Sequence, residues 1–87
     1  MGLQELRSEI DRIDREIIGL LCRRFEIVGE VARLKKETNT GIEDSEREAQ
    51  IIENCKSESK GEIDETFVEK LMRMIIDQSK KIQEREL

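Results

Sequence analysis

The chain has 87 residues, 43% of them charged and 36% apolar, with a formal net charge of −5, only two Phe, and no Pro, Trp, Tyr or His. Such a composition is either helical or disordered, and an acidic chain without a basic, aromatic-lined patch is a poor partner for nucleic acid. Two cysteines, Cys22 and Cys55, with no C-x-x-C spacing and no His nearby, exclude a disulfide framework and a metal site and predict reduced, packed thiols.

The opening MGLQELRSEI has no apolar leader. No apolar run approaches about 18 residues, and Gly2 is not followed by the Ser or Thr that N-myristoylation needs. A cytoplasmic single domain over residues 1–87 is expected. Apolar residues then recur at three-four spacing: Leu3, Leu6, Ile10, Ile13, Ile17, Leu20, Ile27, Val31 and Leu34. This spacing predicts one long amphipathic helix over 3–35 with coiled-coil character. Gly19 and Gly29 each cost it about 1 kcal/mol relative to Ala; they either permit close approach of another helix or are neutral.

The stripe has a fault. The step between Leu20 and Ile27 holds Arg24. Arg7, Asp14, Leu21, Val28 and Lys35 follow a seven-residue step, so polar groups flank or enter the stripe at 7, 14, 24 and 35. One such charge is ordinarily a register device or a snorkelling side chain. Four together, with further cations in the next helix, raise the case for a lined polar cavity.

ETNTG at 37–41 breaks the pattern with turn-forming residues. A second helix starts at Asp44 or Ser45, where Ser45 and Glu48 fit an S-x-x-E capping box, and its short apolar face is Ile51, Ile52 and Cys55. Arg47 in its first turn opposes the helix dipole and so calls for a reason beyond capping. Residues 56–64, KSESKGEID, read as a polar connector. Asp64 or Thr66 caps a third helix that turns Phe67, Val68, Leu71, Met74, Ile75 and Ile82 inward and carries Ser79 and Gln83 four apart on one face. The expected fold is all-α: a long, a short and a medium helix.

Thirty-three helical residues span about 50 Å, whereas a compact globule of this length is about 30 Å across. Helices 2 and 3 therefore cannot cover the whole first stripe, and a second copy in a two-fold homodimer covers the rest most simply. Arg24 and Lys35 lie about 16 Å apart along the axis, so their long side chains can converge, together with Arg47, on a ligand of sugar-ring size. Arg7 lies about 42 Å from Lys35 and can join such a site only from an antiparallel partner chain. Buried cations without counter-ions are costly, and a carboxylate ligand supplies the missing charge.

The segments LRSEIDRIDREIIGLLCRRFEIVGEVARLKK, IEDSERE and IIDQSKKIQ carry L-R-x-x-I-D-x-I-D, then L-L-x-x-R, D-x-x-R-E and S-x-x-x-Q in order over nearly the whole chain. In this the sequence resembles the all-helical class of chorismate mutase. The resemblance implies an intertwined homodimer of three-helix protomers with two shared sites. It implies that chorismate, a small dianion, is rearranged to prephenate in aromatic amino-acid biosynthesis, without cofactor, metal or covalent intermediate. By the same resemblance Arg7 of the other subunit and Arg24 grip the two carboxylates, with Arg47 among the carboxylate-facing cations. Lys35 and Gln83 bond the ether oxygen, Glu48 accepts from the ring hydroxyl, and Asp44 and Ser79 lend supporting contacts. Asp14 matches a family position and reads as structural. The sequence departs from many relatives in lacking a Pro before helix 2 and in placing Glu43 where a basic residue can stand. Isochorismate–pyruvate lyase shares this architecture, but the set Asp44, Arg47, Glu48, Ser79 and Gln83 favours the mutase. A non-catalytic helical dimerisation module explains the stripe but not Arg24, Arg47 and Gln83 together. A membrane-surface helix suits neither the acidic charge nor the lack of large aromatics.

Overall fold

The computed structural model describes residues 1–86 and comprises three α-helices: α1 (Leu3–Glu37), α2 (Ser45–Ser59) and α3 (Glu65–Glu86), with no strand among the described residues. α1 ends two residues beyond the expected boundary, with Lys35 and Lys36 in the last turn, where the negative end of the helix dipole favours them. The chain then turns sharply: the Thr40 amide donates to the Lys35 carbonyl at 2.7 Å, and Asn39 takes a left-handed φ of 56°. Asn tolerates that region better than most residues.

α2 starts where expected, at Ser45, but its cap differs from the expected S-x-x-E box. Asp44, not Ser45, is the N-cap, its Oδ1 accepting from the Arg47 amide at 3.0 Å, while Ser45 is already helical. Glu48 therefore makes no capping box; its carboxylate is drawn instead to Arg73 and Lys80 on α3. α2 also runs through Ser59, so the connector is residues 60–64 rather than 56–64. Within the K-S-E-S stretch Lys56 ion-pairs with Glu69 of α3 at 3.2 Å. The stop comes from Lys60, in the left-handed region at φ 53°, followed by Gly61 at φ 79°. Asp64 rather than Thr66 caps α3, its Oδ1 accepting from the amides of Thr66 at 2.7 Å and Phe67 at 3.2 Å.

α3 is the central element. It packs on both α1 and α2, whereas α1 and α2 do not pack on each other among the described residues. Bonds from Arg24 to Ser79 and from Lys35 to Gln83 advance together, so α1 and α3 run parallel. The pairs Glu48–Lys80 and Lys56–Glu69 run oppositely, so α2 is antiparallel to α3. The buried apolar residues are few: Ala32, Ile52, Val68 and Ile76. Of the residues expected to face inward from α3, Val68 is buried and Ile75 and Ile82 are half-buried, but Phe67, Leu71 and Met74 are exposed. Ile76 takes the buried place instead, on the same face as Ser79 and Gln83. Cys55 is half-buried and Cys22 exposed, so the expectation of two packed thiols holds for neither fully. A Cβ at Gly19 or Gly29 would meet nothing within 4 Å, so neither glycine serves a close approach within this chain.

The chain measures 55 × 24 × 15 Å with a radius of gyration of 16.1 Å. A compact chain of this length has about 12 Å. The excess is α1, in which every residue up to Leu20 is exposed, including Leu3, Leu6, Ile10, Ile13 and Ile17. No helix among the described residues is long and apolar enough to cross a membrane.

Asp64 satisfies two amides at the head of α3, so Asp64→Ala should cost about 1 kcal/mol. Urea unfolding at fixed chain concentration reads this as a lower midpoint at unchanged m-value, with Thr66→Ala shifting the midpoint far less.

Candidate active site

Eleven residues carry an α-helix through about three turns, with a net offset of only about 20°. Arg24 and Lys35 therefore project from the same face of α1. Four residues make one turn, so Ser79 and Gln83 share a face of α3. Where these faces meet, Arg24 Nη1 donates to Ser79 Oγ at 2.6 Å and Lys35 Nζ donates to Gln83 Oε1 at 3.0 Å. The Ser79 hydroxyl passes its own proton to the Ile75 carbonyl at 2.8 Å, which leaves its lone pairs for Arg24. Lysine has no acceptor, so the Gln83 atom facing Lys35 must be its oxygen, and the amide NH₂ remains to donate elsewhere. Ser79 and Gln83 are both buried, at 6% and 8% exposure.

Lys35 Nζ also donates to the Ile42 carbonyl at 3.2 Å, folding the loop before α2 back over α1. A cavity of about 300 Å³ results between α1 and α2, floored by α3. Its apolar walls include Val28, Val31, Ile51 and Ile76; its polar groups are Arg24, Lys35, Asp44, Arg47, Glu48, Ser79, Lys80 and Gln83. Seven of the eight side chains singled out in the sequence for ligand contact thus line one cavity. Arg7 does not; it stands on the exposed N-terminal half of α1. Arg47 lies exposed at the rim, hydrogen-bonded to Gln50 at 3.4 Å.

The charges are unevenly satisfied. Among the described residues Arg24, Lys35 and Arg47 have no carboxylate at ion-pair distance. Burial pushes the Arg24 guanidinium below its usual value, and the nearby charge of Arg47 adds to the fall. Glu48 is the opposite case. Its Oε2 lies 3.0 Å from Lys80 and its Oε1 2.9 Å from Arg73. The hydrogen bond from Lys80, first, and that from Arg73 hold its carboxyl below the ordinary glutamate range. Lys80, bonded to Glu48 and to Glu43 at 3.0 Å, is raised. Within an acidic chain, the cavity thus gathers four cations and two carboxylates.

Lys80 and Arg73 escaped the sequence reading, in which Glu43 stands only as a departure from relatives and not as a partner of Lys80. Lys80 follows Ser79 and precedes Gln83 by three, so the face 76, 79, 80 and 83 of α3 carries a signal for it. Arg73 and Glu43 are revealed by partners 25 and 37 residues away, for which the sequence holds no local cue.

The family described as chorismate mutase type II matches residues 6–84. The T-protein of Haemophilus influenzae is 35% identical over 79 residues, covering 90% of this chain and 21% of that protein. A bifunctional chorismate mutase/prephenate dehydratase of Buchnera aphidicola is 33% identical over 78 residues, covering 88% of this chain and 20% of that one. The chain thus spans about a fifth of the length of these relatives. The solved structure of chorismate mutase (Form II) from Thermus thermophilus superposes with a TM-score of 0.90 at 34% identity, covering 95% of this chain and 94% of that one.

The lowered Glu48 fixes the sign of one pH effect. Its contribution to stability is complete above the unfolded glutamate value, about 4.3, and is lost as pH falls through the lower folded value. Unfolding measured from pH 7 downwards should show wild type more stable than Glu48→Gln by a constant margin that shrinks below about pH 4.3 and vanishes in stronger acid. A margin that does not shrink would show that Glu48 is not ion-paired in solution.

Proposed function

This chain belongs to the chorismate mutase type II family, and from that premise we propose that it rearranges chorismate to prephenate in an intertwined, two-fold homodimer. The observation that carries the reading is the set of three cations, Arg24, Lys35 and Arg47, facing one cavity without a carboxylate partner. Uncompensated cations in a partly desolvated site are costly, and a dicarboxylate offsets that cost on binding.

In this reading Arg24, with Arg7 of the other protomer, grips the two carboxylates, and Arg47 adds to the positive field at the rim. These clamps select the compact conformer in which the breaking C–O bond and the forming C–C bond lie within reach of each other. Lys35 and the NH₂ of Gln83 donate to the ether oxygen, where negative charge grows as the C–O bond lengthens. Their mutual hydrogen bond, 3.0 Å long, holds both donors in place before substrate arrives. Glu48 accepts from the ring hydroxyl: each of its oxygens has lone-pair capacity beyond its bond to Arg73 or Lys80. Asp44 and Ser79 support this set by holding Arg47's helix turn and Arg24's guanidinium. The rearrangement is internal to one molecule: one bond breaks, one forms, and no proton or electron is exchanged with the protein.

The homodimer is supported by the apolar residues left exposed along α1 from Leu3 to Leu20, which α3 does not reach. An antiparallel second copy covers that stripe and carries its own Arg7 toward the cavity. A cytoplasmic enzyme of aromatic amino-acid biosynthesis is the setting this reading implies.

Loss of chorismate absorbance, with acid conversion of the prephenate formed, tests the activity directly; a purified protein that leaves chorismate unchanged refutes it. Lys35→Ala should lower kcat by about 10²–10³-fold with a much smaller change in KM. A pure KM effect would remove Lys35 from the ether-oxygen role. Arg7→Ala and Arg24→Ala chains should each be inactive alone. Mixed in equal amounts they should regain up to about a quarter of wild-type activity, because each mixed dimer contains one intact site. Absence of recovery after confirmed subunit exchange would show that the sites are not shared.

A further inference from the structure

Lys80 is the one cation of the cavity whose charge is already matched among the described residues, and matched twice. Its Nζ lies 3.0 Å from Glu43 Oε1 and 3.0 Å from Glu48 Oε2. Glu48 is nearly shielded from solvent at 12% side-chain exposure, Lys80 is 22% exposed, and Glu43 is 72% exposed. The group therefore runs from the shielded floor of the cavity to its rim. Its two carboxylates flank the start of α2: Glu43 precedes the cap and Glu48 ends the first turn.

That turn has two other polar attachments: Arg73 Nη1 lies 2.9 Å from Glu48 Oε1, and Lys35 Nζ donates to the Ile42 carbonyl beside Glu43 at 3.2 Å; Lys80 differs from both in bonding the two carboxylates together. α2 does not pack on α1, and its buried apolar anchor, Ile52, lies a full turn beyond Glu48. Yet the turn carries two cavity groups, Asp44 and Arg47, joined by the bond from the Arg47 amide to Asp44 Oδ1 at 3.0 Å. Whatever holds Glu43 and Glu48 also sets where Asp44 and Arg47 stand.

We propose that Lys80 is a positioning residue for the rearrangement: by clamping Glu43 and Glu48 to α3 it fixes the first turn of α2, and with it Asp44 and Arg47, at the edge of the cavity. The role rests on the mutase reading of that cavity. An ion pair with one exposed partner contributes little to overall stability. Its effect belongs to binding, because a turn left loose must be ordered when substrate arrives, and that cost raises KM.

Steady-state kinetics with the 87-residue chain test this. Lys80→Met keeps the stem and removes the charge; it should raise KM about tenfold while kcat changes less than about threefold, and Lys80→Arg should stay within about twofold of wild type. Glu43→Gln should raise KM in the same direction, and the double variant should be no worse than Lys80→Met alone, since both act through one clamp. A Lys80→Met protein with unchanged helix content and unchanged KM overturns the proposal. So does a Glu43→Gln protein whose KM falls, because Lys80 would then be a direct substrate ligand that Glu43 holds back. If Lys80→Met does not fold, Glu43→Gln decides alone, and an unaltered KM sinks the clamp. Wild-type turnover is read first: its absence refutes the mutase reading and this role with it, whereas turnover with insensitive variants refutes the role alone.

Discussion

Two cations of a long helix are seated against neutral partners, and the rest of the structure depends on that arrangement. Arg24 on Ser79 and Lys35 on Gln83 join α1 to α3 through hydrogen bonds of 2.6 and 3.0 Å, Arg24 at the step where a leucine would continue the stripe and Lys35 just past its end. A carboxylate in place of Ser79 or Gln83 would neutralise each charge locally and make a better-compensated seam. A hydroxyl and an amide orient the cations and leave their charge unspent, so the electrostatic demand of the seam is directed into the cavity beside it.

The cavity exists because α2 is kept away from α1. α3 packs on both neighbours, and the gap above it is bounded by α2 and by the loop that Lys35 ties down through the Ile42 carbonyl. Apolar side chains close part of the space, but the end of α2 nearest the cations is held by polar groups: the Asp44 cap and the Glu48 carboxylate between Arg73 and Lys80. A site built this way has a firm floor on α3 and a wall whose position depends on charge.

The same economy explains the shape of the protomer. With Ala32, Ile52, Val68 and Ile76 as its buried apolar residues, the chain buries little of its hydrophobic surface and leaves half of α1 uncovered. Small helical chains of this kind gain stability by association. In the proposed dimer α1 serves twice: Leu21, Val28 and Ala32 of its second half face the chain's own α3 and cavity, while the exposed stripe of its first half meets the partner and carries Arg7 to the partner's cavity. Folding and completion of the active site then become one event.

The helical periods, the break at 37–41, and the odd placing of Arg24, Lys35 and Arg47 are legible from spacing along one helix, whereas Asp44, Glu48, Ser79 and Gln83 enter as candidates through the family resemblance. Boundaries were less so. Residues 56–59 read as connector yet are helical, with the stop only at Lys60 and Gly61, whose backbones are left-handed. The S-x-x-E motif at Ser45 suggested a local box, yet Glu48 is taken by cations 25 and 32 residues away, on α3. Phe67, Leu71 and Met74 read as inward from their apolarity, yet the single chain leaves them largely exposed. By itself, then, the sequence determined the helices, their order and the misplaced cations of α1 and α2, since helix period, turn residues and charge pattern act over a few residues, while the fuller candidate site rests on the family resemblance. Tertiary structure decided which part of the stripe is covered, which carboxylate each cation meets and where the cavity opens, because those depend on how three helices lie together in space.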